Sequence, residues 1–190
     1  RPSGPCLDLG GGLGISYDGA APPDLDGYAA ILADEIAPLE CETIFEPGRF
    51  VIGNAGVLVT RIVRIKQGMN RRFVIIDAAM NDLLRPALYG AWHDIQPVIP
   101  RPGDALPVDI VGPICESGDV IAKDRALPPL GSGDLLAVRT AGAYGAVMAS
   151  TYNTRPLAPE VLVDGDDFAV IRRRFTVQDM LSLESLPPWL

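Results

Sequence analysis

The sequence is poor in the residues that build metal centres and disulfide frameworks. It has a single histidine, His93, and three cysteines that lie far apart, Cys6, Cys41 and Cys115. One imidazole nearly excludes a histidine-based metal site and any Ser-His-Asp triad that does not use His93. An odd number of widely spaced cysteines, with no CxxC pair, is typical of free thiols in a reducing compartment. We therefore expect a cytoplasmic protein without a metal site, and we interpret His93 as a satisfied surface or interface residue.

Positive charge and long apolar runs are also scarce. Sixteen basic residues stand against 24 acidic ones, so the formal net charge is −8. This balance disfavours a nucleic-acid partner, because phosphate contacts need a basic surface. No stretch approaches the roughly 18 uninterrupted apolar residues of a membrane helix, and the first residues lack the basic and apolar regions of a secretory signal. With 48% hydrophobic residues in 190, the chain can nevertheless form a sizeable core.

The first 50 residues predict a strand, a helix and a second strand. The apolar run Cys6–Leu9 ends at a glycine cluster, and Cys41–Phe45 forms a similar run further on. Between them, apolar residues at helical spacing predict an amphipathic helix that begins after Asp24 and ends near Pro38. Those apolar residues are Leu25, Tyr28, Leu32 and Ile36. A strand–helix–strand unit is the building block of α/β barrels, but a whole barrel takes about 250 residues. Residues 1–50 are therefore predicted to be the end of such a barrel.

The remainder of the chain, residues 51–190, predicts an antiparallel β-barrel or sandwich with a short terminal helix. Short apolar runs are separated by Gly, Pro and Asp turns, which is the pattern of such folds. The runs are residues 57–65, 73–76, 107–110, 119–122, 135–139, 160–163 and 168–175. Asp164-Gly165 predicts a hairpin with a type I′ turn. Thr176 and Asp179 have the spacing of a capping box that opens the last helix.

Two loops that follow the first two strands have the composition of anion-binding turns. Gly10, Gly11 and Gly12 follow the first strand, and Glu46-Pro47-Gly48-Arg49 follows the second. Glycines let backbone N–H groups approach a phosphate closely. The spacing is not that of a dinucleotide-binding fingerprint, and a tight turn without a ligand is an alternative. In a parallel sheet both loops would lie at one edge, where α/β barrels place their active sites and often a phosphate.

Three segments of the β portion carry further candidates. Arg85 in RPALYG is suited to a bidentate contact with a carboxylate, although an ordinary surface ion pair is the alternative. Tyr144 lies between small residues, which leaves room for a flat ligand against its ring, although a core aromatic would look the same. Cys115 and Glu116 lie in GPICESGD, between turn formers. A structural cysteine would more often sit inside an apolar run, so the loop position favours contact with a ligand.

Six segments, in this order, resemble the C-terminal half of the diaminopimelate decarboxylase family of fold type III pyridoxal-phosphate enzymes. They are LDLGGGLGISY, EPGRFVIGNAGVLVTRI, DAAMNDLLRPALYG, GPICESGD, GAYGAVMASTYNTRP and EVLVDG. The resemblance covers essentially the whole chain. It implies an α/β barrel that holds the cofactor, a β domain, and active sites completed across a homodimer. The expected activity is the conversion of meso-2,6-diaminopimelate to L-lysine and carbon dioxide.

The resemblance also implies roles for particular residues. The cofactor pyridoxal 5′-phosphate would contact Gly11, Gly12, Glu46, Pro47, Gly48, Arg49 and Tyr144. The substrate would contact Arg49, Arg85, Tyr89, Glu116 and Tyr144. Cys115 would be the catalytic proton donor, supplied from the partner subunit, since a cysteine thiol is mostly protonated at neutral pH.

One departure from the family concerns lysine. The family binds its cofactor covalently through a lysine in the N-terminal part, whereas this sequence has only Lys66 and Lys123, in the wrong region. The 190 residues alone are therefore expected to be inactive, as a fragment of a larger protein. Two alternatives stay open: a related decarboxylase of ornithine, arginine or carboxynorspermidine, and a non-catalytic dimerisation module.

Overall fold

The computed structural model describes residues 4–190, and its first part is a strand–helix–strand unit. Strand β1 (Cys6–Asp8) pairs in parallel with β2 (Glu42–Ile44), and helix α1 (Leu25–Glu35) connects them. Helix α1 begins after Asp24, whose side chain accepts a hydrogen bond from the backbone N–H of Gly27 at 3.0 Å. Such an N-cap satisfies one of the N–H groups that the first helical turn leaves unpaired. The predicted strand–helix–strand order and N-cap are confirmed.

A short helix follows β2 directly. Helix α2 (Gly48–Ile52) begins inside the segment that the sequence predicted as a loop, and a 3-10 turn (Gly53–Ala55) follows it. Arg49 therefore lies in the first turn of a helix rather than in an extended loop. A helix of five residues is too short to show an apolar period, which is why the sequence pattern missed it.

The main body of the chain is a six-stranded, nearly closed, barrel-like sheet. Its strands are β3 (Leu58–Gln67), β4 (Arg72–Ile76), β5 (Ile95–Pro97), β6 (Leu106–Val111), β7 (Val120–Leu127) and β8 (Leu135–Val138). They are ordered β5-β8-β3-β4-β6-β7. The core lies on one face of this sheet, to which β3, β4 and β8 contribute alternate residues. Its fully buried members include Ile62, Val74, Ile76, Ile110 and Leu136.

One strand pairing departs from the predicted antiparallel sheet. Strands β4 and β6 pair in parallel, with Phe73 opposite Asp109, whereas β3–β4, β3–β8, β5–β8 and β6–β7 are antiparallel. The long connection from residue 77 to residue 105 returns the chain to the end of the sheet at which β4 began, and parallel neighbours need such a crossover. This connection holds helix α3 (Arg85–Tyr89) and strand β5, which the sequence analysis did not predict.

The chain ends in a separate hairpin and a short helix. Strands β9 (Glu160–Asp164) and β10 (Asp167–Arg172) pair antiparallel, joined by Gly165 and Asp166. A type I′ turn needs a positive φ at both loop residues, but only Gly165 has one, at 59°, and Asp166 does not. This is the pattern of a type II′ turn, so the predicted type I′ turn is wrong. Helix α4 (Val177–Leu181) carries the predicted capping box between Thr176 and Asp179.

Helix lengths bear on the membrane question. Within the part of the chain that the structure covers, no helix has the length and apolar character needed to cross a bilayer.

Candidate functional site

The two glycine-containing loops lie side by side at the carboxyl ends of β1 and β2. The backbone N–H of Glu46 donates a hydrogen bond to the carbonyl oxygen of Gly10 at 2.7 Å. Gly10 and Gly12 have φ values of 65° and 86°, a region that L side chains rarely adopt. A Cβ atom on Gly11 would lie 2.7 Å from the carbonyl oxygen of Glu46. The close approach of the two loops therefore depends on glycine at this position.

An open groove of about 480 Å³ adjoins the first of these loops. Its lining is mainly apolar and comes from the loop and from one face of α1: Leu9, Gly11, Gly12, Leu13, Gly14, Tyr28, Ile31, Leu32, Glu35 and Ile36. Gly11 and Gly12 are themselves exposed, so their backbone is accessible at the edge of the groove.

Arg85 is held by two neutral aromatic rings. Its Nη1 lies 3.0 Å from Nε2 of His93, and its guanidinium carbon lies 4.5 Å from the centre of the Tyr17 ring. The Tyr17 and His93 rings meet edge to face with centroids 5.3 Å apart. No carboxylate of residues 4–190 forms an ion pair with Arg85. Its charge is therefore not neutralised by an ion pair within the described chain.

His93 is completely buried, so its interpretation as a surface or interface residue is wrong. Its Nδ1 lies 2.9 Å from the carbonyl oxygen of Arg139. Burial lowers the pKa of His93, and the charges of Arg85 and Arg125 act in the same direction, against the hydrogen bond to Arg139. A neutral imidazole follows. Because a carbonyl can only accept, Nδ1 carries the proton and Nε2 accepts from Arg85.

Tyr89 lies at the other end of the same short helix as Arg85. The spacing of four residues places both side chains on one face of α3. The Tyr89 side chain is 66% exposed, and the helix ends at Gly90 with a φ of 61°. The two predicted substrate-binding residues thus lie on the same short helix.

Cys115 and Glu116 lie exposed on a loop that is fastened from inside by Asp119. The Asp119 carboxylate is 3% exposed and accepts hydrogen bonds from two backbone N–H groups, that of Ile114 at 2.8 Å and that of Met80 at 2.7 Å. Backbone bonding at the base of the loop, from the N–H of Gly112 to the carbonyl of Asp119, closes the turn. The thiol is therefore presented to solvent on a fixed loop.

Tyr144 has an unusual backbone conformation for an aromatic residue. Its φ is 57° and its side chain is 48% exposed. A side chain in this region costs of the order of 1 kcal/mol, and such strain clusters at functional sites. The preceding segment is pinned, because the N–H groups of Ala141 and Gly142 donate to the carbonyls of Gly56 and Gly53 at 2.8 and 3.1 Å. These contacts join the segment that carries Tyr144 to the turn that follows α2.

The residues that connect these segments were missed by sequence reasoning. Asn81 donates through Nδ2 to the carbonyl of Ser150 at 3.1 Å and accepts at Oδ1 from Nε of Arg155 at 2.8 Å. The Asn81 side chain is 2% exposed, within the turn that also bonds to Asp119 through Met80. Asn81 and Asp82, which interrupt the apolar residues that follow Asp77, were the available signal, since a buried amide needs partners.

Metal-ligand clusters are absent from residues 4–190, where no three His, Cys, Asp or Glu side chains are grouped to hold an ion. Cys6, Cys41 and Cys115 are free thiols.

The chain matches a family of known proteins in both sequence and structure. The model of the pyridoxal-dependent decarboxylase C-terminal sheet domain matches residues 17–142. Diaminopimelate decarboxylase of Pseudomonas aeruginosa is 54% identical over 184 residues, which is 96% of this chain and 44% of that protein. The diaminopimelate decarboxylase of Archaeoglobus fulgidus is 44% identical over 193 residues, with similar coverage. The chain thus spans less than half the length of the curated relatives it matches.

Solved structures agree with this assignment. Diaminopimelate decarboxylase from Helicobacter pylori complexed with L-lysine superposes with a TM-score of 0.87 at 42% identity, over 94% of this chain and 44% of that one. Lysine/ornithine decarboxylase from Vibrio vulnificus complexed with cadaverine gives 0.74 at 27% identity, over 83% and 43%. On sequence and fold together, the chain belongs to the pyridoxal-dependent decarboxylases and contains their C-terminal sheet domain.

Proposed function

We propose that this chain is the C-terminal part of a pyridoxal-phosphate-dependent enzyme that converts meso-2,6-diaminopimelate to L-lysine and carbon dioxide. This substrate is inferred from the guanidinium of Arg85, which is held between His93 and Tyr17 and forms no ion pair within residues 4–190. A guanidinium that is ordered by neutral groups is ready to bind a carboxylate through two parallel hydrogen bonds. Diaminopimelate has a carboxylate at each end, whereas ornithine has none at the end remote from the reaction.

The geometry of the two glycine-containing loops supports cofactor binding. We assign Gly11, Gly12, Gly48 and Arg49 to the phosphate, which needs closely approaching N–H donors and a positive charge. Glu46 would face the ring nitrogen, next to Pro47, and Tyr144 would contact the cofactor. Bound pyridoxal phosphate supplies a ring that accepts the electron pair of the broken carbon–carbon bond.

Substrate binding would use polar side chains of α2 and of the sheet domain that are partly or fully exposed. Arg49, Arg85 and Tyr89 bind the distal carboxylate and its neighbouring groups. Glu116 provides the negative charge that pairs with the distal ammonium, and Tyr144 contacts the substrate as well as the cofactor. The left-handed backbone of Tyr144 supports this role, because such conformations cluster at functional sites.

Cys115 would donate the proton that replaces the departing carboxylate. The proton moves from Sγ to the carbon atom that has lost carbon dioxide, and the thiolate is reprotonated from solvent before the next cycle. An exposed thiol on a loop fixed by Asp119 can reach a neighbouring molecule. We therefore infer a homodimer in which this loop completes the site of the partner.

The remaining parts of the proposal concern the rest of the protein. Residues 1–50 would form the end of an α/β barrel, which the parallel pair β1–β2 and its two loops support. The covalent cofactor lysine would come from sequence outside these 190 residues, since the chain spans 44% of its relatives. Three free thiols fit a reducing, cytoplasmic location.

The test uses the complete protein that contains this chain, supplied in turn with meso-diaminopimelate and with ornithine. We expect release of carbon dioxide and L-lysine from diaminopimelate and little product from ornithine. Replacement Cys115→Ala should lower kcat by about 10²- to 10⁴-fold, the range for a lost general acid, while Cys6→Ala, at another exposed thiol, should not. Preferential turnover of ornithine would favour the related polyamine decarboxylases. Absence of any turnover with cofactor present would favour a non-catalytic module.

A further inference from the structure

We propose that His93 is a positioning residue that holds the guanidinium of Arg85 in the orientation needed for the distal carboxylate of the substrate. This inference rests on the function proposed above. It assigns a specificity role to the one histidine of the chain, which contacts neither cofactor nor substrate in the arrangement described.

The hydrogen bonds around His93 define one orientation of its ring. The N–H at Nδ1 donates to the carbonyl of Arg139 at 2.9 Å, so the lone pair at Nε2 points at Nη1 of Arg85, 3.0 Å away. A backbone carbonyl in the segment after β8 is part of the fold and cannot rotate independently. The imidazole therefore transmits the position of the sheet to the guanidinium.

A second contact, with the ring of Tyr17, restrains the same group further. The ring of Tyr17 lies 4.5 Å from the guanidinium carbon and is itself packed edge to face on His93. The guanidinium of Arg85 is thus held by a hydrogen bond at one nitrogen and by a cation–π contact at its carbon. The guanidinium has five N–H donors, and the hydrogen bond to His93 uses one, so others remain for a carboxylate.

Neutrality makes histidine suitable at this position. An acidic residue would form an ion pair with Arg85 and compete with the substrate carboxylate, and a basic residue would repel it. A buried neutral acceptor orders the guanidinium without cancelling its charge. Without this contact the arginine side chain is flexible. Its immobilisation on substrate binding then lowers the affinity for the substrate by about ten-fold.

Two substitutions test the hydrogen bonds of the two ring nitrogens separately. In His93→Asn the amide can still donate to the Arg139 carbonyl but is too short to reach Arg85. In His93→Gln the longer amide can place its oxygen near the position of Nε2 and accept from Arg85. The pair is matched in polarity, and each variant keeps one of the two hydrogen bonds.

The experiment measures steady-state kinetics of the complete holoenzyme with meso-diaminopimelate, and inhibition by cadaverine, a diamine without a carboxylate. For His93→Asn we expect KM to rise about ten-fold with kcat within about two-fold and an unchanged Ki for cadaverine. His93→Gln should keep KM within about three-fold of the unmodified enzyme.

Each other outcome has a defined meaning. An unchanged KM in His93→Asn, or an equal rise in the cadaverine Ki, would overturn the positioning role. If His93→Asn does not fold, His93→Gln decides alone, and a ten-fold rise of its KM contradicts the inference. Failure of the unmodified enzyme to act on diaminopimelate would instead refute the proposed function, so the two failures are distinguishable.

Discussion

The contact between the two glycine-containing loops allows a quantitative prediction for Gly11→Ala. The added methyl carbon would lie 2.7 Å from the Glu46 carbonyl oxygen, whereas ordinary van der Waals contact begins at 3.4 Å. One loop must therefore move by about 0.7 Å. The hydrogen bond from the Glu46 N–H to Gly10 at 2.7 Å opposes this movement, because it joins the same two segments.

The energetic cost follows from this forced displacement. Overpacking in a constrained site costs about 1–3 kcal/mol. If the displaced loops are those that bind the cofactor phosphate, the displacement weakens cofactor binding. The dissociation constant of pyridoxal phosphate then rises by about 5- to 150-fold. The assay is a titration of the complete apoprotein with pyridoxal phosphate, followed by absorbance or protein fluorescence.

Gly14→Ala is the matched control for this prediction. Gly14 lies in the same glycine-rich segment and lines the same groove, but an added Cβ there meets nothing within 4 Å and its φ is not in the left-handed region. We expect its cofactor affinity to equal that of the unmodified protein. Equal dissociation constants for Gly11→Ala and Gly14→Ala would refute the assignment of these loops to the phosphate, and urea unfolding would show whether Gly11→Ala had merely unfolded the protein.

Three further predictions concern other parts of the chain. Asp119→Ala removes two hydrogen bonds from backbone N–H groups to a buried carboxylate, so we expect the free energy of unfolding in urea to fall by about 3 kcal/mol. The rate of Cys115 alkylation should change as well, and an unchanged rate would contradict the anchoring role of Asp119. Gly142→Ala should cost about 2 kcal/mol by collision with the backbone of the turn before β3, and wild-type stability would show that this turn adapts freely. The guanidinium of Arg173 holds the pKa of Asp179 well below its usual range, so its stabilisation of α4 is present above about pH 4 and is lost as the pH falls further. Hydrogen exchange of α4 in Asp179→Asn should therefore differ from wild type at neutral pH and converge with it in acid, and a constant difference would exclude this ion pair as the cause.

Local patterns in the sequence determined much of the secondary structure. The N-cap at Asp24 and the capping box of Thr176 and Asp179 involve residues three positions apart, so their hydrogen bonds are fixed by short-range geometry. The glycine loop after β1 was evident for the same reason, because its backbone angles favour glycine locally. Helices α2 and α3 and strand β5 escaped prediction, since elements of three to five residues have too little period to recognise.

The connections within the candidate site were decided only by the tertiary structure. Asp119 bonds to Met80 across 39 residues of sequence, and His93 to Arg139 across 46. No local pattern distinguishes a buried histidine that orders an arginine from a surface one, because burial depends on which strands come together. The family motifs and the residue types that suit the chemistry can be recognised without the fold. The fold determined that Arg85 is ordered by neutral rings, that the Cys115 loop is anchored from inside, and that β4 and β6 run parallel, because each depends on contacts between distant segments of the chain.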